Sequence, residues 1–160
     1  MTTLTRRYQF SASHRLHSPE LTPGENALVY GKCNNPYGHG HNYLLEITVE
    51  GPVDSGTGLI VRVAGLDRLV QSTILSRFAH RNMNADIPEL AGVVPTTENV
   101  LHLIANLLRN DWHRLQGPPH PRLHRVHLQE TERNGFELLV PAVHSKSPLE
   151  FKPESVSVNV

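Results

Sequence analysis

Three histidines and one cysteine carry the chemistry that this chain could perform. His39 and His41 lie in the stretch GKCNNPYGHGHNY, residues 31–43, six and eight positions after Cys33, the only cysteine. Residues two apart in a strand face the same way, so the pair aims two imidazoles in one direction with only Gly40 between them. A catalytic zinc usually takes three protein ligands and keeps a fourth position open. The third candidate is His14, in YQFSASHRL, where Tyr8, Phe10, Ala12, His14 and Leu16 share one face. After the pair the alternation continues, with His39, His41, Tyr43, Leu45, Ile47 and Val49 on one face. All three histidines thus fall on the more apolar faces of their strands, where an uncoordinated imidazole must find another polar partner. Three unrelated histidines would also satisfy this spacing, because an i, i+2 pair is by itself a weak signal.

A zinc ion with an open position polarises a substrate oxygen and acidifies neighbouring C–H groups. Enolisation beside such an oxygen also needs a base, and Cys33 lies a short loop from the histidine pair. Its thiol would need a pKa below the ordinary value of about 8.5, and His80 could be its proton partner. Glu130 ends the strand face carrying Val126 and Leu128. A carboxylate there is costly to bury unless something pairs with it, which makes it a site candidate; a solvated strand end is the alternative.

Alternation predicts a first strand over residues 4–17, a loop over 18–36 and a second strand over 39–50, with a short extended piece at 59–63. Val63, Leu66, Val70, Ile74 and Phe78 then form a helical stripe ending near His80, followed by an irregular stretch at 82–88. Thr96-Thr97-Glu98-Asn99 offers caps for a second helix, with Val100, Ile104, Leu107, Leu108 and Trp112 near one face and His102 and His113 on the solvent side. After the QGPPHP breaker at 116–121, strands over 122–132 and 136–140 form a hairpin. In the first of them Leu123, Arg125, His127 and Gln129 are expected opposite His124, Val126, Leu128 and Glu130. This order predicts an α+β domain over residues 1–140, a four-stranded antiparallel sheet with two antiparallel helices on one face. Residues 141–160 read as an extension or arm.

At 160 residues the chain is expected to form one domain. Its zero net charge with histidine neutral, and the absence of any basic cluster, argue against a nucleic-acid partner. No apolar run reaches the ~18 residues of a membrane span, and no signal peptide precedes the first strand, so a cytoplasmic location is expected.

FSASHRL at 10–16, LVYGKCNNPYGHGHNYLLEITVEG at 28–51, TGLIV at 57–61, AHRNMN at 79–84, TTENV at 96–100 and LQETERNG at 128–135 together resemble the 6-pyruvoyltetrahydropterin synthase family, which includes the 6-carboxytetrahydropterin synthases of queuosine biosynthesis. The resemblance implies the tunnelling fold, with sheets of three subunits joined into a barrel and two trimers stacked as a homohexamer with sites at subunit interfaces. It implies zinc on His14, His39 and His41, a catalytic Cys33 paired with His80, and a pterin anchored by Glu130, with Glu98 and Thr97 near the pocket. The activity implied is elimination of triphosphate from 7,8-dihydroneopterin triphosphate, giving 6-pyruvoyltetrahydropterin in tetrahydrobiopterin biosynthesis. Alternatives are the carboxy branch, a paralogue that cleaves the dihydroneopterin side chain, and a pterin-binding paralogue without turnover. The family's relay has an Asp-His dipeptide where this chain has Ala79-His80; Arg62 and Gly65 also depart from its pattern.

Overall fold

The computed structural model describes residues 1–115, 117 and 119–142. Strand β1 (Thr2–His14) alternates exposed and buried side chains towards a buried end at Phe10, Ala12 and His14. Helix α1 (Pro23–Tyr30) follows, then a 3-10 turn at Gly31–Asn34 and strand β2 (His39–Gly51). Helix α2 starts at Val63–Val70, continues through a π-helical segment at Gln71–Leu75 and ends at Ser76–Phe78. Strand β3 is only Arg81–Asn82, and helix α3 (Met83–Asp86) is a single turn. Helix α4 (Thr97–Asp111), β4 (Arg122–Gln129) and β5 (Gly135–Leu139) complete the chain.

The sheet has the order β3-β1-β2-β4-β5. It is antiparallel except where Ala12 and Ser13 of β1 pair in parallel with β3. The α+β architecture is as predicted, with this two-residue fifth strand added at the edge. One face, carrying Phe10, Tyr43, Leu45, Ile47, Val49, Val126 and Leu128, forms a single core with Leu66, Leu69, Val70, Ile74 and Phe78 of α2 and Val100, Ile104 and Leu108 of α4. The opposite face is polar, with Arg125 bridging Glu46 and Glu137. His102 and His113 are exposed, as predicted. No helix among the described residues is long and apolar enough to cross a membrane.

The π segment has a packing reason. Leu66, Val70, Ile74 and Phe78 recur every four residues, and an α-helix turns about 100° per residue, so each step would drift roughly 40° around it. The wider i→i+5 turns take up this drift, and all four side chains are fully buried.

Four local expectations need correction. Residues 18–36 are not all loop, because Thr22 and Glu25 form a capping box at the start of α1, with Pro23 in its first turn. The piece at 59–63 is not extended: it bends and enters α2 at Val63. The irregular stretch after α2 contains β3 and α3. Leu123 is buried rather than on the polar face, because a bulge pairs Thr48 with Arg125 and Val49 with Leu123, leaving His124 as the additional residue. Of the predicted breaker, Gln116 and Pro118 lie outside the described residues, as does the predicted arm from Val143 onward.

Helix α1 is held by one buried amide rather than by an apolar face. Asn26 is fully buried, while Leu28 and Val29 are 86% and 61% exposed. The Asn26 side chain accepts from Ser18 N–H at 2.8 Å and donates to the carbonyls of Ser18, Leu21 and Thr22. Replacing it orphans several backbone groups at about 1–3 kcal/mol. Asn26→Ala is therefore expected to lower unfolding stability by that amount in urea titration, and Leu28→Ala to change it by less than about 0.5 kcal/mol. Equal costs would refute this account of α1.

Candidate metal centre and active site

The antiparallel register sets Ala12 opposite His41 and His14 opposite His39, which places the three imidazoles of two adjacent strands on one face. Their ring centroids lie 4.7–5.1 Å apart. One ligand atom from each lies within 4.8 Å of the others. His14, only 1% exposed, has its Nδ1 2.8 Å from the carbonyl oxygen of Pro95. A carbonyl only accepts, so Nδ1 carries the proton and Nε2 keeps its lone pair. That Nε2 faces His39 Nε2 at 3.2 Å. Two nitrogens on one tetrahedral zinc, at about 2.0–2.1 Å each, stand roughly 3.3 Å apart, so the spacing fits a shared ion.

Other features agree. His41 Nε2 is buried without a hydrogen-bond partner among the described residues. Burial lowers the pKa of His14, against the opposing hydrogen bond to Pro95, and burial likewise lowers that of His41. Both are thereby favoured in the neutral form that binds metal.

Glu130 lies beside the cluster, just past the end of β4. Its Oε1 is 3.6 Å from His14 Nε2 and 3.7 Å from His41 Nε2, and it accepts a 2.7 Å hydrogen bond from Thr97 Oγ1. Thr97, buried as the first residue of α4, fixes the carboxylate. Glu98 is exposed on the same turn and is placed to favour the positive end of the helix dipole.

Cys33 is half-buried in the 3-10 turn. Its loop is fastened to the chain following β1: Leu16 N–H donates to the Cys33 carbonyl at 2.8 Å, Asn34 Nδ2 donates to the Leu16 carbonyl at 2.7 Å and Arg15 Nε donates to the Asn34 carbonyl at 3.1 Å. Gly38 has φ +69°, and a Cβ there would stand 2.9 Å from the His14 carbonyl oxygen, so the loop can pass this close only with glycine. The thiol does not have the lowered pKa that a ready base needs. Burial, and then the Glu130 charge, push it up.

His80 is not brought to Cys33 within the chain. It is exposed, adopts φ 60°, and donates its backbone N–H to the Ser11 carbonyl at 2.7 Å. Its cleft, of about 540 Å³, is lined mostly from the polar sheet face by Ser11, Ser13, Gly40 and Asn42, with Ala12, His41 and Asp86 also on its wall. Tyr43 continues the β2 face that carries His39 and His41. It is 1% exposed, and its hydroxyl has no hydrogen-bond partner among the described residues. Burial pushes its phenol pKa up, with further effects from Glu130 and Cys33.

Fold and site together define an α+β protein with a three-histidine centre able to bind a metal, flanked by a carboxylate and a thiol. A family profile described as "6-pyruvoyl tetrahydropterin synthase" matches residues 3–139. The 6-pyruvoyl tetrahydrobiopterin synthase of Drosophila melanogaster is 44% identical over 131 residues, covering 82% of this chain and 75% of that protein. The Homo sapiens protein of the same name is 42% identical over 132 residues, covering 82% and 86%. The solved structure of Caenorhabditis elegans 6-pyruvoyl tetrahydropterin synthase superposes with a TM-score of 0.78 at 35% identity, covering 88% of this chain and 96% of that one. The chain belongs to the 6-pyruvoyl tetrahydropterin synthase family.

Cobalt(II), read by its d–d absorption, is expected to bind at one equivalent per chain. His14→Ala, His39→Ala and His41→Ala should each weaken binding by more than the roughly 10–100-fold typical of losing an outer hydrogen-bond partner. His102→Ala should leave it unchanged. Full binding by any of the first three variants would remove that residue from the ligand set.

Proposed function

We propose that the chain is a zinc-dependent lyase that converts 7,8-dihydroneopterin triphosphate to 6-pyruvoyltetrahydropterin with release of triphosphate. The observation that carries this reading is the cluster of three imidazoles beside Glu130, whose Oε1 lies 3.6 Å from His14 Nε2 and 3.7 Å from His41 Nε2. The names and identities of the relatives support it.

His14, His39 and His41 would hold the metal. Zinc there supplies Lewis acidity towards substrate oxygens and a positive charge opposing the effect of Glu130 on the Cys33 thiol. Glu130 accepts hydrogen bonds from the pterin N–H and amino groups, as a carboxylate does from a guanidinium, while Thr97 keeps its Oε1 in position. Cys33 moves a proton at the substrate side chain from its anchored loop.

His80 stands in the cleft lined mostly from the polar sheet face, so its proposed partnership with Cys33 would come from a second copy of the chain. Among the described residues, β5 has a strand partner on one side only, and β1 carries β3 only at Ala12 and Ser13 on its outer side. Such edges suit sheet continuation between copies, in keeping with the proposed dimer of trimers with sites at subunit interfaces. Ala79 provides no carboxylate to orient His80. Asp86 lines the same cleft, although its Oδ2 accepts the Asn82 N–H at 2.8 Å. This departure favours one second reading, a family member with altered or no turnover that still binds pterin.

The test is anaerobic incubation of the zinc-loaded protein with 7,8-dihydroneopterin triphosphate, following triphosphate and pterin products by mass. Triphosphate release with a pyruvoyl product is expected, slowed about 10²–10⁴-fold by Cys33→Ala. A zinc-loaded sample that binds pterin without releasing triphosphate would move the assignment to the second reading. Ala79→Asp is expected to raise kcat about tenfold or more; an unchanged rate would show that His80 does not depend on a neighbouring carboxylate at that position.

A further inference from the structure

Arg6, Arg114 and Arg122 are each paired with a carboxylate, but the half-buried Arg15 forms no ion pair among the described residues. Its Nε donates to the Asn34 carbonyl at 3.1 Å, and its Nη2 stands 3.4 Å from Nδ1 of His17. Asn34 Nδ2 stands 3.0 Å from the same ring nitrogen. Both neighbours can only donate, so His17 Nδ1 accepts and the ring proton sits on Nε2. Arg15 and His17 line a cleft of about 300 Å³ whose wall also includes Ser13, His14, Tyr37 and Asn84. The Asn84 amide is occupied by the backbone: its Oδ1 accepts the Arg15 N–H at 2.7 Å and its Nδ2 donates to the Arg15 carbonyl at 3.0 Å. Among the described residues no Asp or Glu lines this cleft. Asp86, two positions from Asn84, instead accepts the Asn82 N–H and lines the cleft that holds His80. Withdrawing a cation from water without a counter-charge is unfavourable. The outer edge of the guanidinium and the His17 Nε2–H, the groups left over, are all donors.

We infer that this cleft is an anion subsite for the phosphates of the substrate, with Arg15 and His17 as its donors; this rests on the reading above of the chain as acting on a pterin triphosphate. His14 belongs both to the imidazole cluster and to the wall of the cleft, so one molecule can reach both. Charge sorts the two ends of that molecule. Glu130 accepts from the pterin N–H edge and repels phosphate, whereas a guanidinium fork matches phosphate oxygens. A phosphate on the outer edge of Arg15 leaves its Nε bonded to the Asn34 carbonyl, so the loop that carries Cys33 stays anchored when the anion binds.

Arg15→Gln removes the charge, and His17→Phe keeps a ring of similar size without the Nε2–H. Zinc-loaded wild type and both variants would be titrated calorimetrically with inorganic triphosphate and with 7,8-dihydroneopterin, which has no phosphate. Arg15→Gln is expected to bind triphosphate about tenfold or more weakly, and His17→Phe about threefold to tenfold. Both should bind dihydroneopterin and cobalt(II) as wild type does. Inorganic triphosphate should also compete with 7,8-dihydroneopterin triphosphate for the wild type. Unchanged triphosphate affinity in both variants would overturn the inference and leave the metal as the anion's only partner. Equal weakening for triphosphate and dihydroneopterin, or weakened cobalt binding, would overturn it by assigning Arg15 and His17 to the fold of the site. Triphosphate that binds together with the substrate would overturn it by making the cleft an independent anion site. Wild type that binds no pterin would overturn the functional reading and this inference with it, an outcome distinct from variants that match a pterin-binding wild type.

Discussion

The site depends on the pairing register of β1 and β2. Thirteen consecutive pairs run from Thr2 opposite Gly51 to His14 opposite His39. Strand side chains alternate with period two, so a slip of one residue would turn His14 away from His39 and His41, and Phe10 out of the core. One pairing thus sets both the core and the metal ligands, and the core supplies the force that holds it. Leu45, Ile47 and Val49 are fully buried on the β2 face that continues into Tyr43, His41 and His39. Burial of those apolar side chains, at roughly 1.5–3 kcal/mol each, pins the histidines without any contact of their own having to do so.

The same continuity determines the electrostatics. Polar groups brought to the end of an apolar stripe lose water, which disfavours the charged forms of His14 and His41 and of the Cys33 thiolate. For the imidazoles this yields the ligand form. For the thiol it yields the unreactive form, an effect of burial to which the nearby Glu130 charge adds. The three imidazoles could hold a cation beside Glu130. The Glu130–Thr97 bond and the His14–Pro95 bond fix their groups in place, which would leave little reorganisation for binding one.

Much of this was legible in the sequence because it rests on period. The His39–His41 pair, the face shared by His14 and Phe10, and the α2 stripe each follow from counting along one element. What was not legible depends on pairing between elements or on single hydrogen bonds. Leu123 reaches the core through a bulge that no alternation rule reveals. Helix α1 has little apolar stripe to find, and its signal was the Thr22-x-x-Glu25 capping box. The rise in the Cys33 pKa depends on how deeply the fold buries the thiol and on how close Glu130, almost a hundred positions later, comes to it. A two-residue strand such as β3 falls below the length at which periodicity means anything.

The placement of His80 shows how the chain separates its chemistry. β1 presents Ala12 and His14 to one side and Ser11 and Ser13 to the other. Ser11 uses its carbonyl to catch the His80 backbone N–H where the chain turns after α2, in the left-handed conformation that non-glycine residues seldom adopt. That turn directs the chain into β3 along the edge of β1 and leaves His80 in the cleft on the polar face. The left-handed turn at position 80 is thus held by the edge of β1, a rarely adopted conformation that persists because its surroundings fix it.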